Sequence, residues 1–388
     1  VDWVGRQMAV TVADGQMFVN NQVDLFAFDL ETGRQDWVQR GPSLKSQWPL
    51  LPMRPVVVGG RVYVRRLTEA NPELACFGRT DGRLLWSCKP DSHVASDPVF
   101  VGEDLLVLTI SEEVADKLIL ALNSVDVESG RVRSRVPLAE FYDLWQHRLS
   151  LQVTAVDDRM VVVGGGSVLC CDSAGEVRWL RRQIWAPPLR PDYGSAKAWF
   201  QQFQEPPLVK DGRVYATQPG SWCVECIDLK SGRLVWRRAV PELTRLVGLA
   251  RGRLVAEASD GVAGIEADSG KMLWFQTVDD LQHARLCVPD ETVLYVQKTS
   301  AAQGPKPQLV PVWLDIETGR PRERGAALEL PAENAPLLWP LVGDRGRQWG
   351  FYASGDPLTT KRVILELIPL ETDSRGARDG RISTTGKE

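Results

Sequence analysis

Short apolar runs separated by polar turns recur along the whole chain. Two examples are residues 9–13 followed by 17–20 and residues 207–209 followed by 213–216, with an Asp-Gly pair between the runs in both cases. Asp-Gly between two β-type runs is a strong signal for a tight hairpin. No segment has the 3.6-residue periodicity of a long amphipathic helix. The pattern predicts an all-β protein built from consecutive hairpins.

One turn motif recurs seven times and organises these runs. Its clearest copy reads Asp29-Leu-Glu-Thr-Gly33-Arg-Gln-Asp-Trp37, with an acidic residue, a turn that ends in Gly, and a Trp four residues later. Gly supplies the positive φ that closes such a turn, and the acidic side chain accepts hydrogen bonds from the free turn amides. We therefore interpret the following residues as structural turn residues: Asp29, Gly33, Trp37, Gly82, Trp86, Asp126, Gly130, Asp172, Gly175, Trp179, Asp228, Gly232, Trp236, Glu266, Gly270, Trp274, Asp315 and Gly319.

The spacing of the motif predicts a β-propeller. Successive Gly residues of the motif lie 38 to 57 residues apart, which is close to the length of one blade. Residues 337–342, 348–353 and 362–370 have the pattern of three further strands, and residues 1–4 have that of a last strand. We therefore expect an eight-bladed β-propeller of four-stranded antiparallel blades, closed by the N-terminal strand completing the last blade. Residues 1–373 would form this single domain, and residues 374–388 a polar tail.

The segment from Ala27 to Trp37 and its copies resemble the quinoprotein repeat, Ala-x-Asp-x-x-x-Gly-x-x-x-Trp, from end to end of the chain. The resemblance implies an eight-bladed propeller in which each Trp docks between neighbouring blades. Enzymes of this family hold pyrroloquinoline quinone and Ca²⁺ on the propeller axis, with a vicinal disulfide above the quinone. Smaller, non-catalytic members include the propeller lipoproteins of outer-membrane protein assembly. At 388 residues the chain is closest in size to these. The resemblance to them implies a bacterial protein of the periplasm or cell envelope.

The quinone enzymes are matched at only one point, Cys170-Cys171. Cys170 occupies the Ala position of the repeat, where the other copies have Ala27, Cys76, Ser124, Cys226, Gly264 and Trp313. Since six of these seven residues are small, we interpret Cys170 as a small buried residue. The calcium ligands, the catalytic base and the stacking Trp cannot be placed on matching positions. We therefore expect no catalytic residue, no metal and no cofactor. A divergent dehydrogenase that uses pyrroloquinoline quinone and calcium remains an alternative.

Other metal and catalytic signals are weak. Cys223 and Cys226 have metal-like spacing, but alternation along a strand would point the two sulfurs to opposite faces. The three His residues have no motif around them. Basic residues number 46 against 50 acidic ones and form no run, which argues against a nucleic-acid partner. No apolar stretch is long enough for a transmembrane segment, and the start at Val1 is expected of a mature or excised chain.

The long connections all fall on one predicted face of the propeller. They join second to third strands or one blade to the next, whereas the opposite face has only short turns. Loops on a rigid scaffold commonly carry function. We therefore expect a protein partner, or another domain of the parent chain, to bind this face through its aromatic residues: Trp48, Trp145, His147, Trp185, Tyr193, Trp199, Phe200 and Phe203. Two alternatives are that these aromatics fold back as a plug, and that the chain is a sensor or carbohydrate-binding propeller.

Overall fold

The structure is a computed structural model that describes residues 8–21, 23–41, 53–67, 72–90, 92–114, 117–141, 151–164, 166–183, 205–218, 222–287, 292–299, 308–329, 337–344, 347–354 and 364–370. All regular secondary structure in these ranges is β, and no described helix could cross a membrane. The chain divides into two compact units. One contains residues 8–28 and 35–235, and the other contains 29–34 and the residues from 236 onward.

Five consecutive meanders, here called blades 1 to 5, begin the chain. In each blade the strands pair antiparallel in chain order. Blade 1 consists of β1 (Ala9–Ala13), β2 (Gln16–Asn20), β3 (Leu25–Asp29) and β4 (Gln35–Gln39). Blade 2 consists of β5 (Val56–Val58), β6 (Arg61–Leu67), β7 (Pro72–Gly78) and β8 (Leu84–Cys88). Blade 3 consists of β9 (His93–Val94), β10 (Val99–Val101), β11 (Asp104–Val114), β12 (Lys117–Val125) and β13 (Val132–Phe141), with β9 added beside β11.

The remaining strands continue the same pattern. Blade 4 consists of β14 (Gln152–Val156), β15 (Arg159–Gly164), β16 (Ser167–Asp172) and β17 (Val177–Arg182). Blade 5 consists of β18 (Leu208–Lys210), β19 (Arg213–Gln218), β20 (Cys223–Asp228) and β21 (Leu234–Ala239). Blade 6 consists of β22 (Leu243–Ala250), β23 (Arg253–Ala258), β24 (Gly261–Glu266) and β25 (Met272–Thr277). Blade 7 consists of β26 (Leu281–Cys287), β27 (Thr292–Thr299), β28 (Gln308–Asp315), β29 (Pro321–Arg324) and β30 (Leu328–Glu329).

The predicted number of eight four-stranded blades is wrong, because the residues that the structure describes form seven. The described strands after blade 7 are β31 (Leu337–Asp344), β32 (Arg347–Ser354) and β33 (Ile364–Leu370), and they form a three-stranded sheet. The predicted closing strand at residues 1–4 and the predicted tail at 374–388 lie outside the described residues. The physical reason lies in the turn motif. It occurs seven times, and Glu371-Thr372-Asp373 after β33 offers neither the Gly of the turn nor the Trp of a fourth strand.

First strands of neighbouring blades lie side by side, as β10 does with β14 and β22 with β26, and we call this row of strands the inner edge of each unit. Ser96 and Leu151 form a parallel bridge where blades 3 and 4 begin. Thr11 Oγ1 in β1 donates a hydrogen bond to the Pro55 carbonyl ahead of β5, at 2.5 Å. Thr154 Oγ1 in β14 donates in the same way to Pro207 ahead of β18, at 2.6 Å. The equivalent bonds show that these blades are copies of one packing unit.

The turn motif closes the hairpins of blades 1, 3, 5 and 7 with the same hydrogen bonds. In blade 1, Gly33 has φ of 68°, and its amide donates to the Asp29 carbonyl at 2.8 Å. Asp29 Oδ1 accepts from the Thr32 amide at 2.7 Å and from the Thr32 hydroxyl at 2.8 Å. These bonds to the charged carboxylate lower the pKa of Asp29. Asp126, Asp228 and Asp315 bond Ser129, Ser231 and Thr318 in the same way.

Each motif Trp lies against the turn of the next blade. Its ring covers the Gly there, so that a Cβ added to Gly82 would lie 2.6 Å from the Trp37 ring. Its indole N–H donates to a turn carbonyl of that blade at 2.8–3.0 Å: Trp37 to Arg79, Trp86 to Val127, Trp179 to Leu229, Trp236 to Ala267 and Trp274 to Ile316. In these five pairs the sequential blades are joined by a ring contact and a hydrogen bond together, whereas Gly175 of blade 4 packs against the aliphatic Val136 of blade 3.

The small residue of the repeat lies directly across the sheet from the Trp. Ala27 pairs with Trp37, and Gly264 pairs with Trp274, whose ring would lie 2.1 Å from an added Cβ. Blade 7 has its ring on the other strand, because Trp313 of β28 pairs with Glu323 of β29, which stands at the Trp position of the repeat. Side chains opposite one another on antiparallel strands share one space. The one large residue at this position therefore occurs in a blade that lacks the Trp.

Candidate functional site

The aromatic residues predicted to bind a partner lie outside the described residues. These residues are Trp48, Trp145, His147, Trp185, Tyr193, Trp199, Phe200 and Phe203. Their segments join a fourth strand to the first strand of the next blade. Every connection longer than six residues is of this kind or joins a second strand to a third. We call these strand ends the long-connection side, and the described residues on it form the candidate site.

A charged cluster lies on the long-connection side, where first strands begin. Arg54 precedes β5, Asp97 precedes β10 and Glu205 precedes β18, so that three blades contribute one residue each. The Arg54 guanidinium donates to Glu205 Oε2 at 2.5 Å, and the Arg54 amide donates to Asp97 Oδ1 at 2.9 Å. Blades 2 and 5 are three apart in the chain. The cluster therefore spans the converging inner edge of the first unit.

A second arginine, Arg65 in the second half of β6, completes the cluster. Its side chain is fully buried, and its guanidinium donates to the Val94 carbonyl at 3.3 Å. Burial lowers the pKa of Arg65 to about 10, and the negative charge of Asp97 partly opposes this shift. Burial likewise raises the pKa of Asp97 to about 6, against the attraction of Arg54 and Arg65. Two carboxylates and two guanidiniums thus neutralise one another.

The neighbouring strand ends carry further buried polar groups. Asn20 Nδ2 at the end of β2 donates to the Met53 carbonyl at 2.8 Å and to the Arg65 carbonyl at 3.1 Å. In the second unit, Glu257 Oε2 accepts from Arg245 Nε at 3.1 Å and from the Ala284 amide at 2.8 Å. Buried charges require such partners to offset the loss of hydration. Polar bonds therefore join the blades on this side, in contrast with the Trp contacts of the short turns.

The described residues do not fit the quinone and calcium of the family's enzymes. They contain no group of three or more His, Cys, Asp and Glu side chains that could hold a metal ion. At the inner edge, the Glu205 carboxylate is bonded to the Arg54 guanidinium, and the Asp97 carboxylate is buried beside Arg54 and Arg65. The two positively charged guanidiniums would compete with a metal cation for these carboxylates. Cys170 and Cys171 are buried free thiols, and burial raises the pKa of Cys171 to about 12. A protonated thiol is a poor nucleophile and metal ligand.

Sequence reasoning missed the charged cluster, although the sequence does contain a signal for it. Arg54, Asp97 and Glu205 each directly precede a Pro at the start of a first strand. The residue before Pro is held in an extended conformation, so the three backbones enter their blades in the same way. A charged residue before this Pro in three blades could have indicated the cluster. Which charges meet depends on how the blades converge.

Residues 26–218 and 181–338 match the protein family described as outer membrane protein assembly factor BamB. The BamB protein of Yersinia pestis is 22% identical over 283 residues, which cover 72% of this chain and 55% of that protein. The chain thus spans about half the length of that relative. BamB of Moranella endobia (strain PCIT) is 25% identical over 317 residues, which cover 80% of this chain and 75% of the relative.

Two solved structures show the same fold. The crystal structure of BamB from Moraxella catarrhalis matches with a TM-score of 0.56 and 16% identity, over 89% of this chain and 92% of that one. Quinohemoprotein alcohol dehydrogenase from Comamonas testosteroni matches with a TM-score of 0.57 and 12% identity, over 90% of this chain and 71% of that one. These similarities confirm the quinoprotein-type β-propeller that the turn motif predicted.

Proposed function

We propose, from the premise that the chain belongs to the family of outer membrane protein assembly factor BamB, that it is a non-catalytic propeller scaffold which binds other proteins. By analogy with the named relatives, it would act in outer-membrane protein assembly in the bacterial cell envelope. Its partner would be another protein or another domain of its parent chain. The binding surface would be the long-connection side.

The observation that carries this proposal is the charged cluster at the inner edge. In a quinone enzyme this region would have to present unpaired carboxylates to calcium. Here Arg54 bonds Glu205 at 2.5 Å, and its amide bonds Asp97. Charges satisfied within the protein hold the blades in place without offering a reactive group. A rigid base of this kind supports a binding surface, because few of its own residues have to be ordered when a partner binds.

The experiment replaces the predicted aromatic contacts one at a time. Trp199→Ala and Phe200→Ala should each weaken capture of a purified partner, for which a protein of the outer-membrane assembly complex or another domain of the parent chain can serve as bait. We expect affinity to fall at least about tenfold for a contact at the centre of the interface. The melting temperature should change little, because the proposal places both side chains at a surface.

A matched control comes from the opposite strand ends. Val58 is an exposed aliphatic residue at the short turn between β5 and β6, with 43% of its surface accessible. Val58→Ser should leave capture unchanged. Equal capture by all variants would contradict the proposed surface. A large drop in melting temperature for Trp199→Ala would instead support the plug alternative, in which the aromatic residues are part of the core.

A further inference from the structure

Blade 3 lacks the aromatic ring that most other blades place against the next blade. The pair that consists of a small residue and a Trp elsewhere is Ser124 and Ser134 here, so both of its members are small. In blades 1, 2 and 4 the small residue is fully buried, and the Trp opposite it is at most 9% exposed. In blade 3, by contrast, Ser134 is exposed and Ser124 is partly exposed. The space beside this pair is therefore open to solvent.

Aliphatic side chains hold blades 3 and 4 together in place of the ring. A Cβ added to Gly175 in the turn of blade 4 would lie 2.8 Å from Val136 Cγ1 and 3.5 Å from Leu138 Cδ2. Val136 is two residues after Ser134 on β13, so the two side chains lie on the same face of the strand. The contact with the turn is thus made further along β13 than the Trp position, and it leaves the Ser134 position uncovered.

The outer strand of blade 4 directs two exposed apolar side chains to the same seam. Val177 and Leu180 of β17 pair with Cys171 and Leu169. Both of these partners belong to the apolar cluster that blades 3 and 4 share. Residues paired across antiparallel strands lie on one face, so Val177 and Leu180 lie on the face directed at blade 3. Their exposed fractions are 36% and 55%, and the value for Leu180 is the highest for a large apolar residue among those that the structure describes.

We call the surface between β13 and β17 the open seam. It is lined by Ser134, Val136 and Leu138 on blade 3 and by Val177 and Leu180 on blade 4. An apolar surface that continues from the core to the solvent commonly marks a binding site. The chain itself shows which side chain suits such a seam, because five other seams hold an indole ring between an outer strand and the next blade.

We propose that the open seam binds an aromatic side chain of a partner protein. The ring would lie beside Ser134, in the space that a motif Trp fills in other blades, and would cover the exposed surfaces of Val177 and Leu180. Aromatic rings bury a large area and pack well on aliphatic side chains. This inference rests on the proposed function, since it gives the chemistry of one partner contact, and it places that contact on the outer strands of blades 3 and 4.

The first test measures binding of N-acetyltryptophanamide to the intact chain by saturation-transfer NMR. Binding should be saturable, and N-acetylalaninamide, which has no ring, should not bind. Leu180→Ser removes one wall of the open seam and should weaken binding at least about fivefold. The matched control is Leu84→Ser on β8, because Leu84 is 42% exposed and pairs with Phe77 at a seam that Trp37 already fills. This control should leave binding unchanged.

The second test fills the open seam from within the chain. Ser134→Trp restores the motif in blade 3, so it should abolish binding of the probe. It should also raise the urea midpoint of unfolding, because the new ring would bury apolar surface of Val177 and Leu180. The control is Ser87→Trp, at an exposed position of β8 that pairs with Ala75 in the cluster containing Trp37. This variant should change neither the binding nor the midpoint.

Four outcomes would overturn the inference. They are no saturable binding of the probe, equal binding by Leu180→Ser and the intact chain, a lower urea midpoint for Ser134→Trp, and a dimer in sedimentation that Leu180→Ser dissociates. The last would show that a second copy covers the seam. Failure of the proposed function gives a different pattern, in which the probe binds the open seam but no protein partner is captured. Capture that depends on Trp199 but is unchanged by Ser134→Trp would refute this inference alone.

Discussion

How tightly a motif Trp packs on the turn of the next blade can be measured from the loss of stability when either of two glycines in blade 3 is replaced by alanine. Gly130 lies in the turn between β12 and β13 with φ of 71°, and Gly102 lies in the turn between β10 and β11 with φ of 60°. An added Cβ would meet Trp86 Cε3 at 2.5 Å at position 130, whereas nothing lies within 4 Å at position 102. The two positions therefore share the backbone cost and differ in packing.

The expected magnitudes follow from these distances. Alanine in the left-handed region costs about 1–2 kcal/mol, and the smaller entropy of its unfolded chain offsets about 0.4–1 kcal/mol of this. Gly102→Ala should therefore cost about 1 kcal/mol. At Gly130 the new methyl would overlap the Trp86 ring by about 1 Å relative to normal carbon contacts. Trp86 is 8% exposed and bonded to the Val127 carbonyl, so it has little room to move. Overpacking adds about 1–3 kcal/mol.

The assay is equilibrium unfolding in urea, with stability differences taken from midpoints at a common slope. A second arm introduces Gly130→Ala into a Trp86→Ala background, where the ring is absent and the excess cost should vanish. The resulting coupling energy should be about 1–3 kcal/mol. Equal costs at Gly102 and Gly130, or an excess at Gly130 that persists without Trp86, would refute the conclusion that the ring sets the cost.

Two further predictions concern the blade contacts and the charged cluster. Trp179→Phe loses the hydrogen bond to the Leu229 carbonyl but keeps an aromatic ring, so it should lower the free energy of unfolding by about 1 kcal/mol. Trp179→Ala removes the ring as well and should lower it by about 3–5 kcal/mol in the same urea assay. Similar costs for the two variants would contradict the role of the ring. Burial raises the pKa of Asp97 from 3.8 to about 6, so between these pH values the native state binds a proton that the unfolded state does not. The contribution of this proton to the free energy of unfolding is present below about pH 4 and is lost as the pH rises through 6. Asp97→Asn should flatten the dependence of the urea midpoint on pH in this window, and unchanged slopes would contradict the assignment.

Much of the blade architecture was predictable because its signals are local. The acidic residue and Gly of each turn, such as Asp29 and Gly33, act within five residues of chain, and alternation along strands follows from the β backbone. The preference for a small residue at the Ala27 position was visible as a pattern. Its cause was not, since the pairing of Ala27 with Trp37 appears only once the strands are in register.

The number of blades shows where local reasoning fails. Spacing suggested an eighth four-stranded blade assembled from both ends of the chain, but the described strands after blade 7 form a sheet of three. A strand-like run of residues predicts a strand without specifying its neighbour. Pairing between distant strands depends on loop closure and on the edges that other sheets leave open, and these are properties of the whole chain.

The sequence by itself determined the β class, the seven hairpin corners and the Trp that follows five of them, because turn geometry and strand alternation depend on residues close together in the chain. Only the tertiary structure decided that Arg54 meets Glu205, 151 positions away, and that the Trp86 ring covers Gly130 of the next blade. Charges and rings that meet across blades depend on how separate sheets pack together, which no local pattern encodes.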